Sequence, residues 1–491
     1  MRRNKTDRFL EAVFLIFVFV ITAILAVNEA FGMMPDEFSH FEVVYYIYKH
    51  GVIPTGYEPQ IQVPYWGASY AFQPILTYII QGFLMRFVDL FTDSVFAIIL
   101  SARLVNCVFA VIMAFFVRRI SCLVWDDRSL QWIFTFLIVL LPENLYIHSY
   151  INTDSMAAMS AAMIIYALFK GETDDFSKKT MVILAIGVSL CLLSYYNAYG
   201  VVLIAVVWFL AHFISRKEYK KMWKKFGFTT VLVCIMAGWW FIRSGILYNG
   251  DILGLSARWE LAVKEAEPQF SPLTKQTYAG QGRSLPDMLL SDDYLKTVYR
   301  SFICVMGNFD IQTADIVYHI DKFILAVSVI FAVMPLRPST CFVSGRTGTD
   351  TVMGNRRRVR FYAEILLFAD IVITVLLHMI YSYAYDWQPQ GRYLLPMLVP
   401  LMYFLTLGFD KAGRLVSLIA AKINTGAGSG SNHKIARTIN VIVRIAVMVY
   451  ITVVLVYTLK VKVLPLYFDN ADFKSYIGMT WQQVIPEFMQ K

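Results

Sequence analysis

Charge is scarce in this 491-residue chain: 44 Lys and Arg with 35 Asp and Glu make up 16% of it, while 58% is hydrophobic, and the mean hydropathy is +0.56. Ordinary water-soluble domains carry about 25% charged residues, so lipid is the expected solvent. Cysteine is scarce too, and six scattered residues are too few for a disulfide framework. Cys107, Cys191 and Cys234 fall within apolar runs, Cys122 and Cys341 in segments expected inside the cell, and only Cys304 in one expected outside. The sequence has no P-loop, no dinucleotide-binding fingerprint and no HExxH, and no Ser or Cys sits in a motif that marks a nucleophile. No internal repeat is evident, which argues against a transporter of symmetrical halves. The short alternating segments of an outer-membrane barrel are missing as well.

What is present is a series of apolar runs, each near the length of about 20 residues that crosses a hydrocarbon core about 30 Å thick. The fold class expected is therefore all-α, a polytopic transmembrane protein of about eleven spans, with amphipathic surface helices in its first outer loop. The first run, 9–31, has no small-residue cleavage site and is expected to remain as the first helix. Arg2, Arg3, Lys5 and Arg8 precede it, so the positive-inside rule puts the amino terminus in the cytoplasm. The segment 72–90 carries Gln73, Pro74, Gln81, Arg86 and Asp89. Reading it as a helix on the outer surface makes 95–117 the second span and returns Arg118, Arg119 and Arg128 to the cytoplasm.

Spans near 130–147, 154–169, 180–194, 200–214, 227–247, 318–336, 361–381, 392–409 and 440–460 then keep the remaining basic clusters inside, among them Lys178, Lys179, Arg216 to Lys225, Arg337, Arg346, Arg356 to Arg360 and Lys411 to Arg437. These clusters account for the net charge of +9 by topology, and no nucleic-acid partner is expected. Residues 425–431 are a Gly/Ser-rich linker. One membrane domain, 1–461, with outer loops 32–94 and 248–316, is followed by an extracytoplasmic tail, 462–491.

Polar residues gather at the outer ends of the spans. Asp36 and Glu37 with His40 lie just past the first apolar run. Acids there suit an ordinary helix start, and they equally suit a base that takes a proton from a hydroxyl, or an oxygen-rich site for a divalent cation. The turn His148 to Asp154 offers His148 and Asn152 as groups to bind a substrate or orient a carboxylate, and Asp154 as a second acid or a helix cap. Arg243 and Arg392, the latter beside Tyr393, stand near the outer ends of spans, where guanidinium groups bind phosphate or reach for headgroups. Arg103 lies deeper, within the second span, and needs either a buried role or an acid on a neighbouring helix.

The order of these pieces resembles that of the GT-C superfamily of membrane glycosyltransferases, and within it a bacterial branch. The matching pieces are Pro35-Asp36-Glu37 with His40; Tyr70-Ala71-Phe72-Gln73-Pro74-Ile75-Leu76-Thr77-Tyr78; Ala102-Arg103; Asn152-Thr153-Asp154; Trp239 to Arg243 followed by Tyr248-Asn249-Gly250-Asp251; and Gln390-Gly391-Arg392-Tyr393-Leu394-Leu395-Pro396. Gln73 departs from the family's paired prolines, and Ser244 from its usual Asn after the arginine. The resemblance implies a polyprenyl-phosphate-linked sugar donor and an extracytoplasmic glycan, lipid or protein acceptor. It also implies Asp36 as catalytic base with Glu37 beside it, Asp154 as the second-loop aspartate, and 72–90 as the family's surface helix. Arg243 and Arg392 would hold the departing phosphate, and the lipid tail would enter between helices. Sequence alone leaves the metal open, since a cation and a bare base fit the carboxylates equally well. The rival expectation is a lipid or polysaccharide transporter, or a non-catalytic partner in envelope assembly.

Overall fold

Backbone amides in lipid find no water to bond, so apolar runs resolve into helices whose hydrogen bonds are internal. The computed structural model describes residues 5–291, 293–336, 350–422, 429–465 and 478–485, without the side chains of 350–358 and 429–433. Arg2, Arg3, Arg337, Arg346, Cys341 and residues 425–428 of the Gly/Ser run lie outside the described residues, as do 466–477 and 486–491 of the expected tail.

Helix α1 (Lys5–Asn28) leads through the first loop to α2 (Glu37–His50) and α3 (Leu76–Asp89), then α4 (Val95–Val124), α5 (Arg128–Val139), α6 (Pro142–Ile147), α7 (Asp154–Asp174), α8 (Lys178–Leu192), α9 (Tyr199–Ile214) and α10 (Tyr219–Leu247). The long segment between the tenth and fourteenth helices, expected outside, holds α11 (Leu255–Glu265), α12 (Leu285–Leu290) and α13 (Tyr294–Cys304), with a short antiparallel hairpin pairing Val305 with Gln312 and Met306 with Ile311. Helices α14 (Asp315–Val333), α15 (Asp350–Ala384), α16 (Leu398–Lys422) and α17 (Ser429–Tyr457) follow, and α18 (Trp481–Val484) closes the described chain.

Among the described residues, eight helical segments are long and apolar enough to cross a bilayer: Lys5–Asn28, Val95–Val124, Tyr196–Ile214, Tyr219–Leu247, Asp315–Val333, Val359–Ala384, Gly391–Lys422 and Lys434–Val463. The other three expected spans fall on α5 with α6, on α7 and on α8, which do not meet those limits. Pro142, at the first turn of α6, divides the run expected at 130–147. Helix α7 is rich in Ala, Ser and Met and is buried along nearly its whole length, between α4 and α8. Small side chains permit that close approach, the usual device of helix packing in lipid.

Helix α3 has 14 residues, about 21 Å at 1.5 Å per residue, too short to span. It buries Thr77, Tyr78, Gln81, Gly82 and Met85 and exposes Ile80, Phe83 and Phe87, as an amphipathic surface helix does. Helix α2 packs on α3 and receives α18, whose Trp481 ring lies 5.2 Å from Tyr45 and 5.3 Å from Tyr48.

Candidate active site

Asp36 precedes α2 with φ 59 and ψ 5, left-handed values that Asp tolerates better than most residues and that still cost about 1–2 kcal/mol. Its carboxylate does not cap the helix it introduces. Arg392 Nη2 donates to it instead, at 2.6 Å. Arg392 is itself buried, with 4% of its side chain exposed against 40% for Asp36, and also donates to the Pro35 carbonyl (3.2 Å) and to the hydroxyls of Tyr150 (3.3 Å) and Tyr393 (3.1 Å). The charge is thus fixed on the protein side while the Asp36 carboxylate stays partly exposed. Burial alone would push the Asp36 carboxyl up, but the guanidinium of Arg392, with His40 and Arg258 behind it, holds it below the ordinary carboxylate value.

Glu37 points the other way. It is fully buried and meets Arg103 through a fork of two hydrogen bonds, Nε to Oε1 at 2.8 Å and Nη2 to Oε2 at 2.7 Å. The Gly32 and Ile151 amides complete its carboxylate at 3.0 and 3.1 Å. Arg103 Nη1 reaches the carbonyls of Ala26 (2.9 Å) and Glu29 (2.6 Å) at the end of α1. The expected roles of Glu37 in catalysis and of Arg103 in substrate binding are corrected accordingly: the pair ties α1, α2, α4 and the turn before α7 together. Among the described residues no group of three or more His, Cys, Asp or Glu side chains is arranged to hold a metal ion. The cation site weighed for Asp36 and Glu37 loses one of its two carboxylates to Arg103.

His40 is buried beside Asp36, its ring 4.3 Å from that of Tyr70, and its Nδ1 shares a hydrogen bond of 2.5 Å with the Tyr78 hydroxyl. Burial pulls its pKa down to about 4, despite the nearby Asp36 carboxylate, so at neutral pH it is uncharged. It braces these two tyrosines.

The turn before α7 distributes its polar groups differently from expectation. His148 and Asn152 are fully buried. His148 Nδ1 lies 2.6 Å from the Asn144 carbonyl, and Asn152 bonds the Ile147 and Tyr150 carbonyls at 2.7 and 3.0 Å. Asn152 Oδ1 also accepts from the Ser155 amide at 3.0 Å, so Asn152 takes the capping task anticipated for Asp154. Both residues shape the turn from within the protein, and although His148 Nε2 bonds no described residue it is buried, which corrects their expected binding roles. Asp154, partly exposed, has no side-chain hydrogen bond to another described residue and lies within the fields of Arg392 and Asp36.

Arg243 is not brought to Arg392. Its Nη2 donates to the Pro54 carbonyl at 2.6 Å, and its guanidinium lies 5.1 Å from the Trp240 ring. The neighbouring Tyr248 hydroxyl donates to the Thr55 carbonyl at 2.6 Å. Together they pin residues 53–55 of the first loop to α10, so the expected phosphate contact becomes a structural tie. The residues that sequence reasoning missed are Arg258, half-buried on α11 with its guanidinium 5.9 Å from the Tyr70 ring, and the tyrosines Tyr150 and Tyr195, the latter stacked on Tyr393 at 6.3 Å. Tyr70 and Tyr78 lay within a quoted motif; Arg258 carried no motif signal.

Fold and site together define a polytopic helical membrane protein in which a partly exposed carboxylate is held by a buried arginine among tyrosines. Residues 62–401 match the family of predicted membrane proteins designated DUF2142, and the chain belongs to that family. Asp36, Glu37 and His40 lie ahead of the matched region. No curated protein matches the sequence. Among solved structures the chain is similar to ArnT from Cupriavidus metallidurans bound to undecaprenyl phosphate, with 12% identity over 97% of this chain and 76% of that one and a TM-score of 0.45. It is also similar to the Archaeoglobus fulgidus oligosaccharyltransferase in the apo form, with 13% identity over 88% and 56% of the two chains and a TM-score of 0.46. A third, the archaeal oligosaccharyltransferase AglB from Archaeoglobus fulgidus in complex with an inhibitory peptide and a dolichol-phosphate, has 14% identity over 92% and 55% and a TM-score of 0.38.

Proposed function

We propose that this protein is a membrane glycosyltransferase that moves a sugar from a polyprenyl-phosphate carrier to an acceptor on the extracytoplasmic side. The observation that carries the reading is the Asp36 carboxylate, partly exposed and held at 2.6 Å by a buried arginine. Asp36 takes the proton of the acceptor hydroxyl, whose oxygen attacks the anomeric carbon as the bond from that carbon to the phosphate oxygen breaks. Charge then moves in a balanced way: as Asp36 becomes neutral, Arg392 loses its anionic partner while the departing phosphate gains a charge for it to stabilise. Asp154, at the start of α7 and without a side-chain hydrogen bond to another described residue, lies in the same field and orients the acceptor. A donor dissolved in lipid accounts for the membrane-embedded body of the enzyme.

The test is sugar transfer from a labelled polyprenyl-phosphate donor by the wild type and Asp36→Asn. Loss of about 10²–10⁴-fold is expected for a missing general base, and an unchanged rate removes Asp36 from that role. One observation favours transport as a second reading. Asp370, within the span of α15, is 1% exposed, and neither carboxylate oxygen bonds a described residue. Lone acids within spans commonly serve ion or solute paths. Vesicles that translocate labelled carrier lipid with no sugar transfer would support it.

A further inference from the structure

Helix α11 is clamped to the segment between α2 and α3 at both ends. Before it, Gly254 (φ +67) lies so close to the Phe72 carbonyl that an added Cβ would stand 2.6 Å from the oxygen, and beyond its far end an added Cβ on Gly67 (φ +61) would clash with the Ala266 backbone. The Glu267 amide donates to the Tyr65 carbonyl at 3.2 Å, and Phe270 packs against the rings of Tyr65 and Trp66 at 5.9 and 5.0 Å. Asp251 accepts from the amides of Leu253, Ser256 and Ala257 at 3.2, 2.7 and 3.1 Å, closing the start of the helix, and the Tyr196 hydroxyl donates to the Leu253 carbonyl at 2.5 Å. The helix is therefore a fixed platform.

Arg258 stands in the first turns of that platform with its guanidinium over the Tyr70 ring. Its guanidinium has neither an ion pair nor a hydrogen bond among the described residues, whereas Arg103 and Arg392 are paired with Glu37 and Asp36, and Arg243 gives Nη2 to the Pro54 carbonyl while its Nη1, buried, bonds no described residue. Holding an arginine by its helix and its aromatic neighbour while leaving its donors open suits an anion that arrives from outside. Its field reaches Asp36, Tyr70 and Tyr381, which places it toward the proposed base.

We infer that Arg258 binds the phosphate of the carrier lipid, an anionic contact expected from the sequence at Arg243 and Arg392. The inference rests on the transferase reading above and supplies its donor subsite. Arg392 enters the ground state already paired, so the incoming phosphate meets Arg258 first and Arg392 after proton transfer.

The test is binding of polyprenyl phosphate and of the uncharged polyprenol to the purified full-length protein in detergent. Wild type should prefer the phosphate. Arg258→Ala should weaken phosphate binding about 10- to 100-fold, the range of a charged hydrogen-bonded contact, and leave polyprenol binding unchanged. Arg258→Lys should recover part of the loss, and Arg283→Ala, a charge-matched change elsewhere in the segment between α10 and α14, should keep wild-type affinity. If Arg258→Ala does not fold, by loss of its unfolding transition, Arg258→Gln carries the same criterion. Phosphate affinity unchanged in the variant overturns the role of Arg258 while the transferase reading stands. A wild type with no preference for the phosphate overturns that reading itself.

Discussion

Asp36 and Arg392 are 356 residues apart in sequence and 2.6 Å apart in space. The contact joins the loop after α1 to the segment between α15 and α16, and it bears on the protonation of the proposed base. Arg392 and its neighbours lower the Asp36 pKa against the upward push of burial. The base is therefore ionised across the neutral range, and the acid limb of the rate profile should lie below the ordinary carboxylate region. In Arg392→Gln the largest lowering cause is gone while burial remains, so the limb should move to higher pH while the plateau rate falls. The pH dependence of kcat/KM for the two proteins checks both, and a limb that stays in place in the variant would disconnect Arg392 from Asp36.

Adjacent carboxylates should fail in different ways. Asp36→Asn should lose transfer and keep its thermal transition. Glu37→Gln should lose stability, because it strands the Arg103 guanidinium in a buried site, at a cost of about 3–5 kcal/mol. Thermal unfolding in detergent beside transfer assays separates the two. Equal Tm values for Glu37→Gln and wild type would remove the clamp.

Glu29, just past α1, carries a pKa pushed up to about 8 by burial, against the pull of Arg103 and the Ser149 hydroxyl. Folded, it keeps its proton up to that pH; unfolded, it releases it near 4.5. Between those values the folded state binds one proton more, so stability should fall as pH rises from about 4.5 toward 8. Glu29→Gln should flatten that decline and leave stability below pH 4 unchanged. Melting temperatures over this range provide the check, and parallel curves for the two proteins would contradict it.

Arg243→Ala should act through the scaffold. Losing its bond to the Pro54 carbonyl should lower stability by about 1–3 kcal/mol, with more rapid protease cleavage near residues 53–55. A variant that melts like the wild type but loses phosphate affinity would return Arg243 to the ligand.

Asp370→Asn separates the two readings of the whole protein. A transferase has no use for an acid in the span of α15, and transfer should continue at the wild-type rate. Lipid translocation that disappears in the same variant would identify a transporter.

The sequence disclosed the membrane-embedded helical body, since long apolar runs and basic clusters are local properties. Asp36 and Arg392 were legible as charges at helix ends. Glu37 was misplaced because successive residues at a helix start point about 100° apart, and that rotation turns one acid toward Arg392 and the other toward Arg103. The cap at α7 was ambiguous because Asn152 and Asp154 are both good capping residues, and only the fold of the turn gives the Ser155 amide to Asn152. Arg258 was illegible for a different reason. Its significance comes from two loops meeting, through Gly67 and Gly254, far from each other in sequence. Pro142 did announce the break between α5 and α6, and the span drawn through it overlooked the plainest local signal available.

The burial of α7 bears on how the protein tolerates its surroundings. Asp154 opens a helix that has almost no lipid contact, flanked by protein on nearly every side. Bilayers differ in thickness, and a mismatched helix responds by tilting at a modest cost per ångström. That adjustment falls on peripheral segments such as α10, α14 and α17, whose outer faces are largely exposed. The rod bearing Asp154 stays put while its neighbours lean, so the site should keep its shape in thin and thick membranes alike.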